Sequence, residues 1–292
     1  MAKPLLGKEV TATLNETIAK DAASLTAKGI TPTLGIIRVG EREDDLSYER
    51  GAMKRCETLG VAVKRYLLPE GVSQKILITT IREVNQDPRV HGVLLFRPLP
   101  KHLDEEAACQ ALRPEKDVDG ITDGSTAGVF SGRPLGFPPC TAQACMEILQ
   151  HYGIDCQGKK AVVIGRSLVV GKPAALMLLQ RNATVTICHT KTQDMPAVCR
   201  EAELLLVAAG KAGMIDRPYF TPGQIVIDVG IHVSEEGKLC GDVKFEDADP
   251  VVEALTPVPG GVGMVTTSVL AGHVVEAAKR QNNVTEDVPA SK

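Results

Sequence analysis

The chain has 292 residues, of which 43% are hydrophobic and 24% are charged, enough to form one large core or two ordinary ones. Its 33 lysines and arginines nearly balance 36 aspartates and glutamates, and the net charge of -3 supplies no basic field for nucleic acid or an anionic membrane. These values favour two domains and small-molecule chemistry. No apolar run reaches the roughly 18 residues of a membrane helix and no secretory signal is visible, so we expect a cytoplasmic protein.

The first half of the chain alternates strand-like and helix-like segments. An apolar, β-branched run predicts a strand near residues 32–39, and a helix is expected through 44–59. VAVKRYLL then predicts a second strand, followed by a helix near 73–86 and a strand at 90–96. Such alternation is typical of parallel βαβ units.

A second series follows a helix predicted at 141–153. KKAVVIG, ATVTICH, AELLLVAAG and QIVIDVG predict strands, with helices in KPAALMLLQ and near 194–201. This order indicates a doubly wound sheet. A long helix is predicted at 266–281, returning to the first domain, and the polar tail NNVTEDVPASK is expected to fray.

Metal and thiol chemistry have little support in the sequence. The eight cysteines are scattered, without a C-x-x-C pair or a histidine at zinc-ligand spacing, and predict buried free thiols. The six histidines form no motif. The acidic run EREDD (41–45) could in principle bind a metal, but a loop that caps the next helix through Asp44 or Asp45 is favoured. We therefore expect no metal site.

The strongest cofactor signal is VVIGRSLVVGKP, residues 162–173. Gly165 permits a tight turn after a strand, Gly171 allows close backbone approach, and the helix that follows offers N-terminal amides to a pyrophosphate. The motif is not G-x-G-x-x-G, so by itself it fits an ordinary α/β connection equally well.

The end of the next strand bears on which dinucleotide would bind. A NAD-binding domain usually places Asp or Glu there, whereas this chain has CHTKT at 188–192. Arg166, Thr190 and Lys191 would supply donors to a 2′-phosphate, which favours NADP over NAD. The alternative is a solvated basic loop.

Several motifs in order resemble the methylenetetrahydrofolate dehydrogenase/cyclohydrolase family, over essentially the whole chain: VVIGRSLVVGKP, KDVDG (116–120), VIDVGI (226–231), GDV (241–243) and TPVPGGVG (256–263). The resemblance implies an α/β fold of two domains. A discontinuous folate-binding domain would comprise 1–148 and 266–292, and a Rossmann-type NADP-binding domain 149–265. TAQACMEILQ and TTSVLAGHVVEAA would be the long connecting helices, enclosing a cleft where folate meets nicotinamide, in a homodimer of one-carbon metabolism.

The resemblance also implies site residues. Asp119 would bind the pterin, since a carboxylate can accept parallel hydrogen bonds from a ring N–H and an amino group. Tyr48 would orient the folate, and a loop would run beside the pterin and nicotinamide. The expected loop residues are Pro259, Gly260 and Gly261, and the expected cofactor-binding residues are Gly165, Arg166, Ser167, Gly171, Thr190 and Ile231. Without the family context, Asp119 fits a turn, Tyr48 a core position and the glycines an ordinary turn.

The chain departs from the family pattern at the positions that matter most for hydrolysis. The family motif Tyr-x-x-x-Lys has its catalytic lysine where this chain has Ala52, and Lys54 matches a second, noncatalytic lysine. Phe96 stands where the family has the glutamine that partners the lysine, and Arg97 follows it. Asp45 replaces a usual serine before the tyrosine.

These departures separate two reactions. Opening the 5,10-methenyl ring needs a group that moves protons, which alanine and phenylalanine cannot do. Hydride transfer needs mainly proximity and orientation. We therefore expect NADP-dependent oxidation of 5,10-methylenetetrahydrofolate with weak or lost cyclohydrolase activity.

Three alternatives remain. One is a bifunctional enzyme in which Arg97 or Lys54 substitutes for the lysine. Another is a noncatalytic folate- or nucleotide-binding protein. The third, an oxidoreductase acting on a hydroxy or keto acid, would need a Lys–Asp dyad, for which the sequence offers no convincing pair.

Overall fold

The computed structural model describes residues 1–234 and 236–284 and has an α/β fold. Its strands, in chain order, are β1 (Lys3–Pro4), β2 (Thr33–Val39), β3 (Ala62–Leu68), β4 (Gly92–Leu95), β5 (Lys160–Ile164), β6 (Thr184–Cys188), β7 (Leu204–Val207), β8 (Ile225–Asp228), β9 (His232–Val233), β10 (Leu239–Cys240) and β11 (Ala254–Leu255). Its α-helices are α1 (Gly7–Ala27), α2 (Glu43–Thr58), α3 (Gln74–Gln86), α4 (Glu105–Ala111), α5 (Asp123–Ser131), α6 (Cys140–His151), α7 (Gly171–Gln180), α8 (Met195–Arg200), α9 (Phe245–Ala248) and α10 (Val262–Gln281). Most of the tail predicted to fray, 285–292, lies outside the described residues.

The first of two compact units contains the doubly wound sheet. It comprises Met1–Thr13, Val129–Arg133 and Pro138–Thr266. Within the described residues its main sheet has six parallel strands in the order β1-β11-β8-β7-β5-β6. The central strands are almost continuous apolar runs, as expected where helices cover both faces of a parallel sheet.

The second unit is built around a smaller parallel sheet. It comprises Leu14–Gly128, Pro134–Phe137 and Thr267–Lys292, and its strands follow the order β3-β2-β4. The central strand β2 has the sequence TLGIIRV, and its Leu34, Ile36 and Ile37 side chains are fully buried. The two βαβ series predicted from the sequence are thus confirmed.

The units divide the chain differently from the predicted domain boundaries. The prediction placed residues 1–13 with the folate-binding domain, whereas β1 extends the six-stranded sheet by pairing with β11. The expected connecting helix α6 lies wholly within the first unit. The chain passes between units within α1, α5 and α10, and also after Arg133 and after Phe137. The predicted domain boundaries stay a prediction: a folate-binding domain of 1–148 with 266–292, and an NADP-binding domain of 149–265.

Helix α2 begins differently from the prediction. Its N-cap is Arg42, without a capping side-chain hydrogen bond. Asp44 and Asp45 lie inside the first turn, so the prediction that either caps the helix is wrong; their charges instead face the positive end of the helix dipole.

The helices and the cysteines also bear on the predictions for membrane spans and free thiols. Within the described part of the chain, no helix is both long and apolar enough to cross a membrane. The eight cysteines are free thiols, all buried except the partly exposed Cys240.

Candidate functional site

Helix α2 presents the tyrosine expected at the folate site. Tyr48 is 37% exposed, and its ring meets the edge of Phe96 with centroids 6.0 Å apart and an interplanar angle of 78°. Ala52, one turn further along the helix, is fully buried. The structure therefore brings Tyr48 together with the residue at the predicted glutamine position, and the side chain at position 52 ends at its methyl group.

The two cations that the bifunctional alternative offers as substitutes for the lysine have other surroundings. Lys54 is exposed, and its position is turned about 240° around α2 from Tyr48. Arg97 forms an ion pair with Glu105, with the Nη1 and Oε1 atoms 3.6 Å apart. The exposure of Lys54 and the ion pair of Arg97 therefore both place these cations away from the buried face of α2.

That buried face carries charges that the sequence analysis did not anticipate. Arg38 on β2 donates from Nε to Glu49 Oε2 at 2.7 Å, and both side chains are almost completely buried. Arg65 on β3 approaches the other carboxylate oxygen of Glu49 at 3.4 Å. Asp45, one turn earlier, is 7% exposed, and burial raises the pKa of its carboxyl against the opposing effects of Arg42 and Arg38.

A signal for this face was present in the sequence. Asp45, Glu49, Ala52 and Cys56 are the buried residues of α2, and their spacings of four, three and four follow one side of a helix. Two acidic residues on the apolar side of an amphipathic helix are unusual unless they are paired or functional.

The turn that carries Asp119 is organised by a neighbouring carboxylate. Asp117 is fully buried; one oxygen accepts from the Ile121 N–H at 3.0 Å, and the other accepts from the Thr122 N–H and hydroxyl, both at 2.7 Å, and from the Ser125 hydroxyl at 2.6 Å. Asp119 is half-buried in this turn. Its position before the next helix is thus fixed by a residue that the sequence analysis did not single out.

The glycine turn after β5 has the conformation that its sequence requires. Gly165 has a φ of 125°, which L side chains rarely adopt, and a Cβ atom at Gly171 would collide with the Gly165 carbonyl. The Ser167 hydroxyl accepts from the N–H groups of Val170 at 3.1 Å and Gly171 at 3.4 Å. Four of the predicted cofactor residues, Gly165, Arg166, Ser167 and Gly171, therefore lie in one turn that leads into α7.

Arg166 and Thr190 lie at corresponding ends of neighbouring strands. Ile164 of β5 pairs with Cys188 of β6 in parallel register, and each of the two candidate residues follows two positions later. Both are exposed, as is Lys191. Because carboxyl ends of adjacent parallel strands share one edge of a sheet, this juxtaposition places cationic and hydroxyl donors beside the glycine turn.

The proline–glycine loop and Ile231 line one cavity of about 200 Å³ in the first unit. Its lining includes Pro259, Gly260, Gly261, Ile231 and Asp228. The loop is held from the chain start, where the Gly7 N–H donates to the Gly260 carbonyl at 2.8 Å. That contact was not predicted, because it joins residues more than 250 positions apart and no local pattern in the sequence signals it.

The motifs VIDVGI and GDV meet beside this cavity. Asp228 accepts from the N–H groups of Gly230, Asp242 and Val243 at 3.0, 3.1 and 3.0 Å, and burial raises its pKa to about 6. Asp242 accepts from two further N–H groups and lies 2.7 Å from His232 Nε2. Over residues 1–234 and 236–284 no cluster of acidic, cysteine or histidine side chains forms a metal site.

Comparison with known families accounts for both units. Residues 5–119 match the model described as tetrahydrofolate dehydrogenase/cyclohydrolase, catalytic domain, and residues 139–282 match its NAD(P)-binding domain. The chain belongs to the tetrahydrofolate dehydrogenase/cyclohydrolase family. Membership confirms the resemblance noted in the motifs and the α/β fold with a Rossmann-type domain.

Individual relatives of this family align over almost their full length. The bifunctional protein FolD of Carboxydothermus hydrogenoformans is 50% identical over 286 residues, which cover 97% of this chain and 100% of the relative. The crystal structure of the bifunctional FolD enzyme of Campylobacter jejuni superposes with a TM-score of 0.93 at 38% identity, covering 96% and 99% of the two chains. The Trypanosoma brucei family enzyme, solved with NADP and an inhibitor, gives a TM-score of 0.89 at 33% identity, covering 96% and 98%.

Proposed function

We propose that this chain is an NADP-dependent methylenetetrahydrofolate dehydrogenase. The observation that carries the proposal is the juxtaposition of Arg166 and Thr190 beside the Gly165 turn, in a chain that belongs to this enzyme family. The 2′-phosphate of NADP suits a guanidinium and a hydroxyl, where a carboxylate would repel it. The Trypanosoma brucei relative, solved with NADP, supports the same cofactor.

The proposed oxidation makes modest demands on the side chains. Bound NADP supplies the hydride acceptor. Tyr48 would orient the folate and Asp119 would accept hydrogen bonds from its pterin, while the methylene carbon loses hydride with help from a ring-nitrogen lone pair. No protein group exchanges a proton in this step, so Ala52 and Phe96 are compatible with it.

The dehydrogenase is tested by NADPH absorbance after methylenetetrahydrofolate is added to enzyme with NADP, and in parallel with NAD. We expect turnover with a preference for NADP. Binding of both molecules without NADPH formation would refute the proposal and indicate the noncatalytic folate- and nucleotide-binding alternative.

Ring opening of the methenyl product is a second candidate function. The curated relative that is 50% identical carries the name bifunctional protein FolD, which favours a bifunctional enzyme over the weak or lost cyclohydrolase expected from Ala52 and Phe96. Loss of methenyltetrahydrofolate absorbance above the buffer rate tests it directly. Hydrolysis at the buffer rate alone, by an enzyme active as a dehydrogenase, would contradict it.

Two further expectations stay predictions. A homodimer is checked by the sedimentation of the purified protein. The cytoplasmic location is checked by fractionation of the cells that express it.

A further inference from the structure

Ring opening faster than the buffer rate calls for a group in this chain that carries a proton. This inference rests on the proposed ring-opening activity. Ala52 and Phe96 have no titratable group, Arg97 pairs with Glu105, and Lys54 lies on another side of α2. The carrier must therefore be sought among the other side chains on the face that carries Tyr48.

Asp45 lies on that face. It shares the buried side of α2 with Glu49 and Ala52, and Tyr48 borders the same side one turn away. A long side chain at position 52 would lean toward the helix N-terminus, over the turn that carries Tyr48 and Glu49. Asp45 occupies the next turn along this path, about 5 Å further.

The charged groups that surround Asp45 leave its carboxyl without a partner. Arg38 donates to Glu49 and to the Gly40 carbonyl, and Arg42 donates to the Pro98 carbonyl at 3.2 Å. Asp44 and Glu49 add negative charge nearby. Among the residues that the structure describes, no hydrogen bond or ion pair joins the Asp45 carboxyl, which is 7% exposed.

A carboxyl in this setting keeps its proton to a higher pH than an exposed carboxyl does. Burial raises its pKa, the two arginines lower it, and the neighbouring carboxylates raise it again. The oxygens of an unpaired carboxyl are also available to accept a hydrogen bond from a water molecule. The oxygens of Glu49 are not available in this way, because they face Arg38 and Arg65.

We propose that Asp45 is the proton carrier of the ring-opening step, in place of the lysine that is absent at position 52. Its carboxylate accepts a proton from the water molecule as the water oxygen bonds to the bridging carbon of the methenyl cation. The protonated carboxyl then donates that proton to one flanking ring nitrogen as the carbon–nitrogen bond breaks. The second water proton leaves to solvent as the carbonyl forms, so water and the cation yield formyltetrahydrofolate and one proton.

The test compares methenyl hydrolysis with dehydrogenase turnover in the same preparations of full-length enzyme. We expect Asp45→Asn to lower the ratio of the two rates about 100-fold or more, within the usual contribution of general acid–base catalysis. Asp45→Glu should restore part of the ratio because it keeps the carboxyl. Asp44→Asn is the matched control, since Asp44 is the exposed neighbour in the same helical turn, and its ratio should equal that of wild type.

A pH profile separates this role from a structural one. In wild type the hydrolysis rate should fall at lower pH, because the Asp45 carboxyl becomes protonated. The residual hydrolysis rate of Asp45→Asn should not show this decrease. An unchanged ratio in Asp45→Asn, or a pH limb that survives the change, would overturn the proposal. Wild type that makes NADPH but shows no hydrolysis would overturn it too, while leaving the dehydrogenase intact; absence of both reactions would instead defeat the proposed function.

Discussion

Replacement of Asp117 by asparagine tests whether this carboxylate holds the turn that carries Asp119. The amide can keep one oxygen facing Thr122 and Ser125, but it then points an NH₂ group at the Ile121 N–H. Loss of the acceptor for this partly buried donor costs about 1–3 kcal/mol. The three remaining hydrogen bonds lose their charge assistance, roughly 0.5–1 kcal/mol each. We expect Asp117→Asn to lower the free energy of unfolding by about 3–5 kcal/mol.

The assay is urea denaturation, combined with KM values for folate and NADP. Asp123→Asn is the matched control, because Asp123 is exposed in the first turn of α5 and should cost less than about 1 kcal/mol. If Asp119 binds the pterin, Asp117→Asn should raise the KM for folate and leave that for NADP unchanged. A loss of stability no larger than that of the control would refute the account of this turn.

Three further predictions follow from the structure. Arg166→Ala should raise the KM for NADP about 10- to 100-fold and leave that for NAD unchanged, since a charged hydrogen bond contributes about 1.5–3 kcal/mol; steady-state kinetics with both cofactors measure this. Glu49→Gln should lower the free energy of unfolding in urea by about 3–5 kcal/mol, because it leaves the Arg38 guanidinium buried without its counter-ion. The folded-state pKa of Asp228, raised by burial to about 6, lies above its ordinary value of 3.8, so its contribution to stability is complete below pH 3.8 and is lost as pH rises through 6. The stability of wild type relative to Asp228→Asn should therefore increase by up to about 3 kcal/mol as pH falls from 7 to 4, measured by urea denaturation across this range.

The Arg166, Glu49 and Asp228 predictions each have their own control or contradicting result. Lys160→Ala removes a similar charge at the opposite end of β5 and should leave both cofactor constants unchanged. Arg65→Gln removes the exposed partner of Glu49 and should cost less than about 1 kcal/mol. The cofactor prediction is wrong if Arg166→Ala raises the KM for NADP and the KM for NAD equally. The ion-pair prediction is wrong if Glu49→Gln lowers the free energy of unfolding as little as Arg65→Gln does. The Asp228 prediction is wrong if the stability difference between wild type and Asp228→Asn does not change with pH.

The parts of the fold that were predictable are those encoded by local pattern. Apolar runs bounded by turns located the central strands of both sheets, and the strand–glycine–helix order located the turn at Gly165. By contrast, α10 begins at Val262 and the prediction began it at 266, since the three glycines of GGVGMV argue locally against a helix. Pairing of β1 with β11 joins segments some 250 positions apart and depends on no local signal.

The candidate site shows the same division. Tyr48, Asp119 and the glycine turn were located from motifs, whereas the surroundings of Asp45 and Glu49 depend on Arg38 arriving from β2. Likewise, the role of Asp117 depends on hydroxyl groups that follow it by five and eight positions and that could equally have faced solvent. Side-chain partnerships of this kind follow from tertiary packing, which a single sequence does not specify.

The link between Gly7 and Gly260 has a consequence for how the protein is made. Lys3 and Pro4 can pair at the sheet edge only after the strand at Ala254–Leu255 has been synthesised, some 250 positions later. Closing so long a loop is slow, because its entropy is lost before any contact compensates for it. A nascent chain can therefore form the inner strands of this sheet before the contact that holds its proline–glycine loop.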